Sequence, residues 1–178
     1  IASSTTTTAV DLSIAPVAAT DPDGLAKQIT AAETAIADDA TWSHFSAYGC
    51  RFVKTPNFDR VAKEGILFNH CFTPTPKCSP SRAAILTGKN PWQLEEAADH
   101  FGAFNAKFVV FPELLERTGY FVGHTGKGWG PGNFRVGGFK RNPAGPAFEG
   151  AKLTPPTPDI SPVDYAANFS RFLKERPK

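Results

Sequence analysis

The sequence predicts an α/β fold whose functional site lies at the ends of strands. Short apolar runs at residues 66–72 and 120–125 have the composition of strands, and each leads into a loop rich in proline or glycine. Stretches with helix start and stop signals lie between and after these runs. Alternating strand, loop and helix is typical of α/β sheets, which place their sites at the strand ends.

Length, composition and charge indicate a globular chain and exclude some partners. The 178 residues suit one domain, with 41% hydrophobic and 20% charged residues. A net charge of +2 is too small to indicate nucleic acid, and no apolar run approaches the roughly 20 residues of a transmembrane segment. Because the chain begins at Ile1 and contains no Met, we expect it to be part of a longer translation product. Residues 1–20 show no secretory signal, so any such signal lies outside this chain or was never there.

The first 35 residues form an atypical N-terminal segment. Residues 1–22 are rich in Thr, Ala and Ser and are predicted to be poorly ordered. Apolar residues then recur at helical spacing at Leu25, Ile29, Ala32 and Ile36. We therefore predict a segment that is poorly ordered or helical.

Besides the helix at Cys78, which is described below, three helices and two strands are predicted after this segment. Thr55-Pro56 begins the first helix, which Gly65 ends; Pro112 begins the second, which Gly119 ends. The predicted strands are residues 66–72 and 120–125. Residues 139–162 carry six prolines and read as a linker, functional or disordered, before a last helix over residues 163–176.

The stretch from Cys78 to Gly88 is predicted to be a short helix that begins at an anion site. Ser and Pro follow Cys78, as at a helix start, and Gly88 gives a stop signal. Unpaired N–H groups and the helix dipole converge at such an end. Arg82 lies one turn later and offers a planar donor fork for an oxyanion. The spacing of Cys78 and Arg82 is too short for a thiolate phosphatase loop.

A second cation follows the strand at residues 120–125, in a glycine-rich loop. A nucleotide-binding pattern fails there, because Phe121 occupies the first glycine place of a P-loop. Pro131 and Asn133 occupy the third glycine places of the dinucleotide pattern. Lys127 on this loop is still a good anion ligand.

Asp38 and Asp39 are candidate ligands of a divalent cation. Adjacent carboxylates repel unless a cation shares them, and their hard oxygen atoms suit Ca²⁺ or Mg²⁺. A helix cap or a solvated turn is the alternative for such a pair. Cys50 and Cys71 either pair or remain thiols.

The string Cys78-Ser79-Pro80-Ser81-Arg82, followed after three residues by Leu86-Thr87-Gly88, resembles the signature of the type I sulfatases. The resemblance implies the fold of the alkaline phosphatase superfamily, a mixed sheet between helices. It implies that residues 36–178 are the N-terminal part of a sulfatase catalytic domain, in a protein that is periplasmic, secreted or lysosomal. A formylglycine-generating or other sulfatase-maturing enzyme would read the Cys-x-Pro-x-Arg core and oxidise Cys78 to formylglycine.

The same resemblance implies the roles of the site residues. Formylglycine at position 78 would hydrate to a diol, attack sulfur and then expel sulfate. Lys127 would contact the sulfate and Arg82 would hold the diol. Asp38 and Asp39, with the position-78 oxygen, would bind Ca²⁺ or Mg²⁺.

The substrate pocket is predicted to include His44, His100 and Trp129. Trp129 stands where sulfatases usually have a His that contacts the nucleophile or leaving group. Either the chain does without that residue or another His serves. His124 is nearby, but we expect its side chain to point along the strand and not into the loop.

The predicted substrate is a sulfated sugar. The runs 99–104 and 112–115, with Gly126-Lys127, look most like the heparan N-sulfatase group, which favours N-sulfoglucosamine. The alternatives are an arylsulfatase, a phosphate or phosphonate ester hydrolase of the same superfamily, or an inactive truncated product. In the family, the general acid and the rest of the metal shell come later in the chain, so we expect the 178-residue polypeptide alone to be inactive.

Overall fold

A computed structural model describes residues 10–13, 34–37 and 40–177, the first two segments as backbone only. The chain forms two compact units, Ile1–Pro76 and Lys77–Lys178. The predicted domain boundary after residue 35 stays a prediction. In the described part, no helix is both long enough and apolar enough to span a membrane.

The first unit contains a two-stranded ribbon. Strand β1, Val10–Ser13, pairs antiparallel with β2, Thr34–Ala37, so that Val10 lies opposite Ala37. The helix predicted to reach Ile36 is therefore wrong at its end, and Val10–Ser13 is paired within a stretch predicted to be poorly ordered. The β-branched residues Val10, Thr34 and Ile36 favour an extended backbone, and antiparallel pairing outweighs a weak helical spacing here. The rest of both stretches lies outside the described residues.

Helix α1 of the first unit, Pro56–Glu64, begins and ends where the sequence predicts. Thr55 precedes it and exchanges hydrogen bonds with Ser46, at 2.8 Å from the Thr55 amide and 3.0 Å from the Ser46 amide. Both hydroxyl groups also donate to the carboxylate of Asp59. This network fixes α1 against the 3₁₀ turn Ser46–Tyr48.

In its described residues, the second unit holds three helices and one buried apolar cluster. They are α2, Cys78–Thr87; α3, Phe111–Arg117; and α4, Tyr165–Glu175. Two 3₁₀ turns, Pro91–Gln93 and Glu95–Ala98, follow α2. The buried cluster consists of Ala83, Leu86, Leu94, Ala97, Phe104, Val110, Trp129 and Phe139.

The helices of the second unit confirm the predicted elements with small shifts at their ends. Gly88 ends α2 with a positive φ of 67°, a conformation that glycine adopts without strain. Helix α4 begins at Tyr165, two residues later than predicted. The Asp164 carboxylate accepts the Ala167 amide at 2.9 Å, and this cap sets the start.

The two predicted strands of residues 66–72 and 120–125 do not form in the described structure. Residues 120–125 make only an isolated bridge, between His124 and Ala147. A strand needs a partner for its N–H and C=O groups along its length, and residues 40–177 contain no strand that pairs with these runs. The described residues therefore do not show the mixed sheet.

The proline-rich segment over residues 139–162 is not a loose linker. Phe139 and Phe148 are buried, and the Phe148 ring meets that of Phe172 edge-on. The Leu153 amide donates to Pro162 O at 2.6 Å, closing the segment on itself. It is an ordered part of the second unit. All three cysteines of the chain are unpaired thiols.

Candidate active site at the start of helix α2

Cys78 is the first residue of helix α2, as the sequence predicts. Lys77 before it is extended, with φ −116° and ψ 140°. The helical ladder begins where the Ser81 amide donates to Lys77 O, and Pro80 has no N–H. The N–H groups of Cys78 and Ser79 thus lie ahead of the ladder, where the positive end of the helix dipole favours an anion.

Lys127 lies directly beside Cys78. Its Nζ is 3.1 Å from the Cys78 Sγ, although the two residues are 49 positions apart. The glycines on either side of Lys127 have φ values of 79° and 54°, so the backbone turns sharply on both sides of the lysine. The structure therefore brings together the predicted nucleophile position and the predicted anion ligand.

Arg82 is buried beneath this pair and joins α2 to the glycine-rich loop. Only 8% of it is exposed, and its Nη1 donates to Gly128 O at 2.7 Å. Gly128 follows Lys127, so the arginine holds the loop next to the first turn of α2. Its predicted contact with a bound oxyanion stays a prediction.

Ser79 connects three segments, a role that the sequence did not predict. Its Oγ donates to His100 O at 2.6 Å and accepts the Gly132 amide at 3.1 Å. Its own carbonyl accepts Nε1–H of Trp129 at 2.9 Å. A serine after Cys78 carries no signal of such contacts, because the partners lie 21 to 53 residues away.

Trp129 supports the site from the core. The sequence predicts that it lines a substrate pocket, and the structure does not place it there. It is 2% exposed, and its ring centroid lies 5.1 Å from that of Phe104. Asn142 holds its backbone on both sides: Oδ1 accepts the Trp129 amide at 3.0 Å, and Nδ2 donates to its carbonyl at 2.9 Å. Burial leaves no face of the indole for a substrate.

The two predicted pocket histidines lie in different units. His100 is in the second unit, where its backbone contacts Ser79 and its ring meets that of Phe101 edge-on at 4.6 Å. His44 is exposed and ends the 3₁₀ turn Trp42–His44 of the first unit. Both pocket roles stay predictions.

The predicted metal ligands Asp38 and Asp39 lie outside the described residues. Within the described ranges, no group of three or more His, Cys, Asp or Glu side chains is arranged to hold a metal ion. The metal site therefore stays a prediction.

His124 contradicts the expectation that its side chain would point along a strand. Its Nδ1 lies 3.0 Å from Gly145 O, and its ring lies against Gly128 in the loop. Burial lowers the pKa of His124, and the charge of Arg82 acts in the same direction. The hydrogen bond to Gly145 and the charge of Glu149 oppose this shift.

Comparisons with known proteins agree with the motif. Residues 35–175 match the family named Sulfatase. The chain is 41% identical over 90 residues to an N-acetylglucosamine-6-O-sulfatase of Bacteroides thetaiotaomicron, which covers 51% of this chain and 16% of that protein. It is 37% identical over 102 residues to the human N-acetylgalactosamine-6-sulfatase, covering 51% of this chain and 20% of that protein.

An N-acetylgalactosamine-6-O-sulfatase of Bacteroides thetaiotaomicron is 30% identical over 141 residues, covering 74% of this chain and 28% of that protein. The chain thus spans less than a third of the length of each of these relatives. No solved structure matches it significantly.

Proposed function

Because the chain belongs to the sulfatase family, we propose that it carries the nucleophile-bearing part of the active site of a sugar sulfatase. The observation that carries the proposal is the Lys127 Nζ beside the Cys78 Sγ at the start of helix α2. Membership of the family implies an α/β fold like that of alkaline phosphatase. We further propose that this fold includes a mixed sheet between helices.

The site is suited to a tetrahedral oxyanion such as a sulfate group. The Lys127 ammonium lies beside the Cys78 side chain, and Cys78 begins α2, at the end where the helix dipole is positive. Arg82 is held under the loop by Gly128 O, and its charge adds to the positive potential. Positive groups that are fixed before the reaction stabilise charge on the transferring oxygens.

We propose that Cys78 is oxidised to formylglycine, so the Sγ marks the place of an oxygen nucleophile. Hydration of that aldehyde supplies one hydroxyl group to attack sulfur and a second whose proton loss releases sulfate. Lys127 lies within hydrogen-bonding distance of this position and would hold the sulfate oxygens. The net reaction consumes water and yields inorganic sulfate and the free hydroxyl or amino group of the sugar.

A divalent cation fits the donor set that the chain would offer after conversion. Asp38 and Asp39 supply hard carboxylate oxygens of the kind that Ca²⁺ or Mg²⁺ prefers. A cysteine sulfur is too soft for these ions, whereas an oxygen at position 78 suits them. We propose that these three groups hold Ca²⁺ or Mg²⁺, which would neutralise charge on the sulfate oxygens.

The substrate we propose is a sulfated amino sugar. The resemblance in residues 99–104 favours N-sulfoglucosamine, and the relatives are named for N-acetylglucosamine and N-acetylgalactosamine 6-sulfates. All three carry a sulfate group on a hexosamine. The position of the sulfate on the ring is decided by assay.

The first experiment tests the anion site itself. Inorganic sulfate is titrated calorimetrically into the chain and into Lys127→Ala, with Lys140→Ala, another exposed lysine of the second unit, as the matched control. We expect Lys127→Ala to weaken sulfate binding about fivefold, the size of a partly exposed charge contact. Equal affinities for all three proteins would overturn the site.

The second experiment tests the reaction. The gene product that carries this chain is co-produced with a formylglycine-generating enzyme and assayed with Ca²⁺. The substrates are N-sulfoglucosamine, N-acetylglucosamine 6-sulfate, an aryl sulfate and an aryl phosphate. Release of sulfate from an amino sugar supports the proposal, and hydrolysis of the phosphate ester alone contradicts it.

A further inference from the structure

His124 is anchored by residues 145–148. Its amide donates to Pro146 O at 2.9 Å, and its carbonyl accepts the Phe148 amide at 2.7 Å. Its imidazole Nδ1 is 3.0 Å from Gly145 O. A carbonyl only accepts, so Nδ1 carries the proton, and in the neutral ring Nε2 does not. Main chain and side chain are both fixed by the same short segment.

The other edge of the imidazole lies against the turn that follows Lys127. A Cβ built on Gly128 would be 2.7 Å from both Cδ2 and Nε2 of His124, so only glycine allows this approach. Gly128 O accepts from Arg82 Nη1 at 2.7 Å, and Lys127 before it reaches Cys78 Sγ at 3.1 Å. The imidazole therefore contacts Gly128, which accepts the hydrogen bond of Arg82 and directly follows Lys127.

Burial of the ring favours its neutral form. The pKa of His124 is lowered mainly by burial, and the positive charge of Arg82 adds to this effect. The Gly145 carbonyl and the Glu149 carboxylate act in the opposite direction. A neutral ring adds no repulsion to the two cations beside it.

We propose that His124 is a positioning residue, which holds the Lys127–Gly128 turn against the first turn of α2 and so sets the place of Lys127 in the anion site. This inference rests on the proposed function of that site. His124 contacts the loop and acts on a bound anion only through Lys127 and Arg82. Its role thus differs from that of a proton donor in the reaction.

Two substitutions separate positioning from simple support of the fold. His124→Asn places an amide Nδ2–H near the position of Nδ1, so it keeps the bond to Gly145 O but loses the ring that lies on Gly128. His124→Ala loses both. We expect His124→Asn to unfold at nearly the wild-type denaturant concentration, whereas sulfate binding weakens about threefold to fivefold in both variants. His70→Ala, an exposed histidine of the first unit, is the control and should bind sulfate as the wild type does.

A double-mutant cycle with Lys127→Ala gives the decisive result. If His124 acts through the lysine, the double variant His124→Asn/Lys127→Ala loses less sulfate affinity than the product of the two single losses. Wild-type affinity in His124→Asn, or losses that multiply in the double variant, would overturn the inference. A Lys127→Ala protein that binds sulfate like the wild type would instead overturn the proposed anion site, and the two failures are thereby distinguished.

Discussion

The Ser79 hydroxyl donates a hydrogen bond of 2.6 Å to the carbonyl oxygen of His100. The Ser79 Oγ also accepts a hydrogen bond from the Gly132 amide at 3.1 Å, and the Ser79 side chain is fully buried. Ser79 directly follows Cys78, so these bonds fix the candidate nucleophile to two loops. The position of Cys78 thus depends on a neighbour that carries no charge and no reactive group.

Ser79→Ala should destabilise the second unit. It leaves the Gly132 amide without its acceptor and the His100 carbonyl without its donor in a buried place, which costs about 1–3 kcal/mol. The free energy of unfolding in urea measures the loss. Ser170→Ala, on the exposed face of α4, is the control and should change stability by less than about 0.5 kcal/mol. Equal stability of the two variants would show that the Ser79 bonds contribute nothing.

Replacing Trp129 should destabilise the core of the second unit. Trp129→Phe removes the Nε1–H bond to Ser79 O and leaves a void beside Phe104, at a cost of about 2 kcal/mol. Trp92 is 75% exposed, so Trp92→Phe is the matched control and should be neutral. Urea unfolding followed by circular dichroism compares the two. A Trp129→Phe protein as stable as Trp92→Phe would contradict the buried position.

The sequence predicts helix ends correctly, because the residues that set them act locally. Pro56 at the start of α1, Gly65 after its end and Gly88 after the end of α2 act within one helical turn, and all three predictions are confirmed. The strands at residues 66–72 and 120–125 are wrong, because a strand forms only against a partner that sequence periodicity does not reveal.

The candidate site divides in the same way. The motif predicts Cys78 and Arg82, and the glycine-rich loop predicts Lys127, because each of these signals is local. Ser79 and Asn142 have no comparable signal, because their role is to join segments far apart in the chain. The sequence predicts that His124 points away from the loop, because it predicts a regular strand there; the isolated bridge instead allows the side chain to turn to Gly145.

Conversion of Cys78 should require an unfolded chain. Pro80 and Arg82, which the maturing enzyme would read, are buried within α2, and Arg82 is bonded to Gly128. Co-production with a formylglycine-generating enzyme should convert Cys78, whereas the same enzyme added to the purified folded chain should not. Mass spectrometry of the tryptic peptide detects the loss of the thiol and its reaction with a hydrazide. Cys71, exposed but outside the motif, is the internal control; an unmodified Cys78 after co-production contradicts the proposal.

Asp38→Ala and Asp39→Ala should each abolish Ca²⁺ binding by the converted protein. Two adjacent carboxylates repel each other without a cation, so either change should leave the metal-free protein at least as stable as the wild type. Calorimetric titration with Ca²⁺ measures binding, and urea unfolding in a chelator measures stability. Asp159→Ala, an exposed carboxylate of the second unit, is the control. Undiminished Ca²⁺ affinity in either variant would remove the pair from the metal site.

The stability of the chain should fall with acidification in a way that depends on His124. Burial lowers its pKa in the folded state below the ordinary value of 6.5. Between the folded pKa and about 6.5, the unfolded chain therefore binds a proton that the folded chain does not, and stability rises with pH across this window. The contribution is complete above about pH 6.5 and is lost progressively as the pH falls toward the folded pKa. Urea unfolding at closely spaced pH values should show a steeper slope for the wild type than for His124→Asn, while His70→Asn, the exposed control, should keep the wild-type slope. A His124→Asn protein with the wild-type slope would show that the buried imidazole does not titrate as its surroundings require.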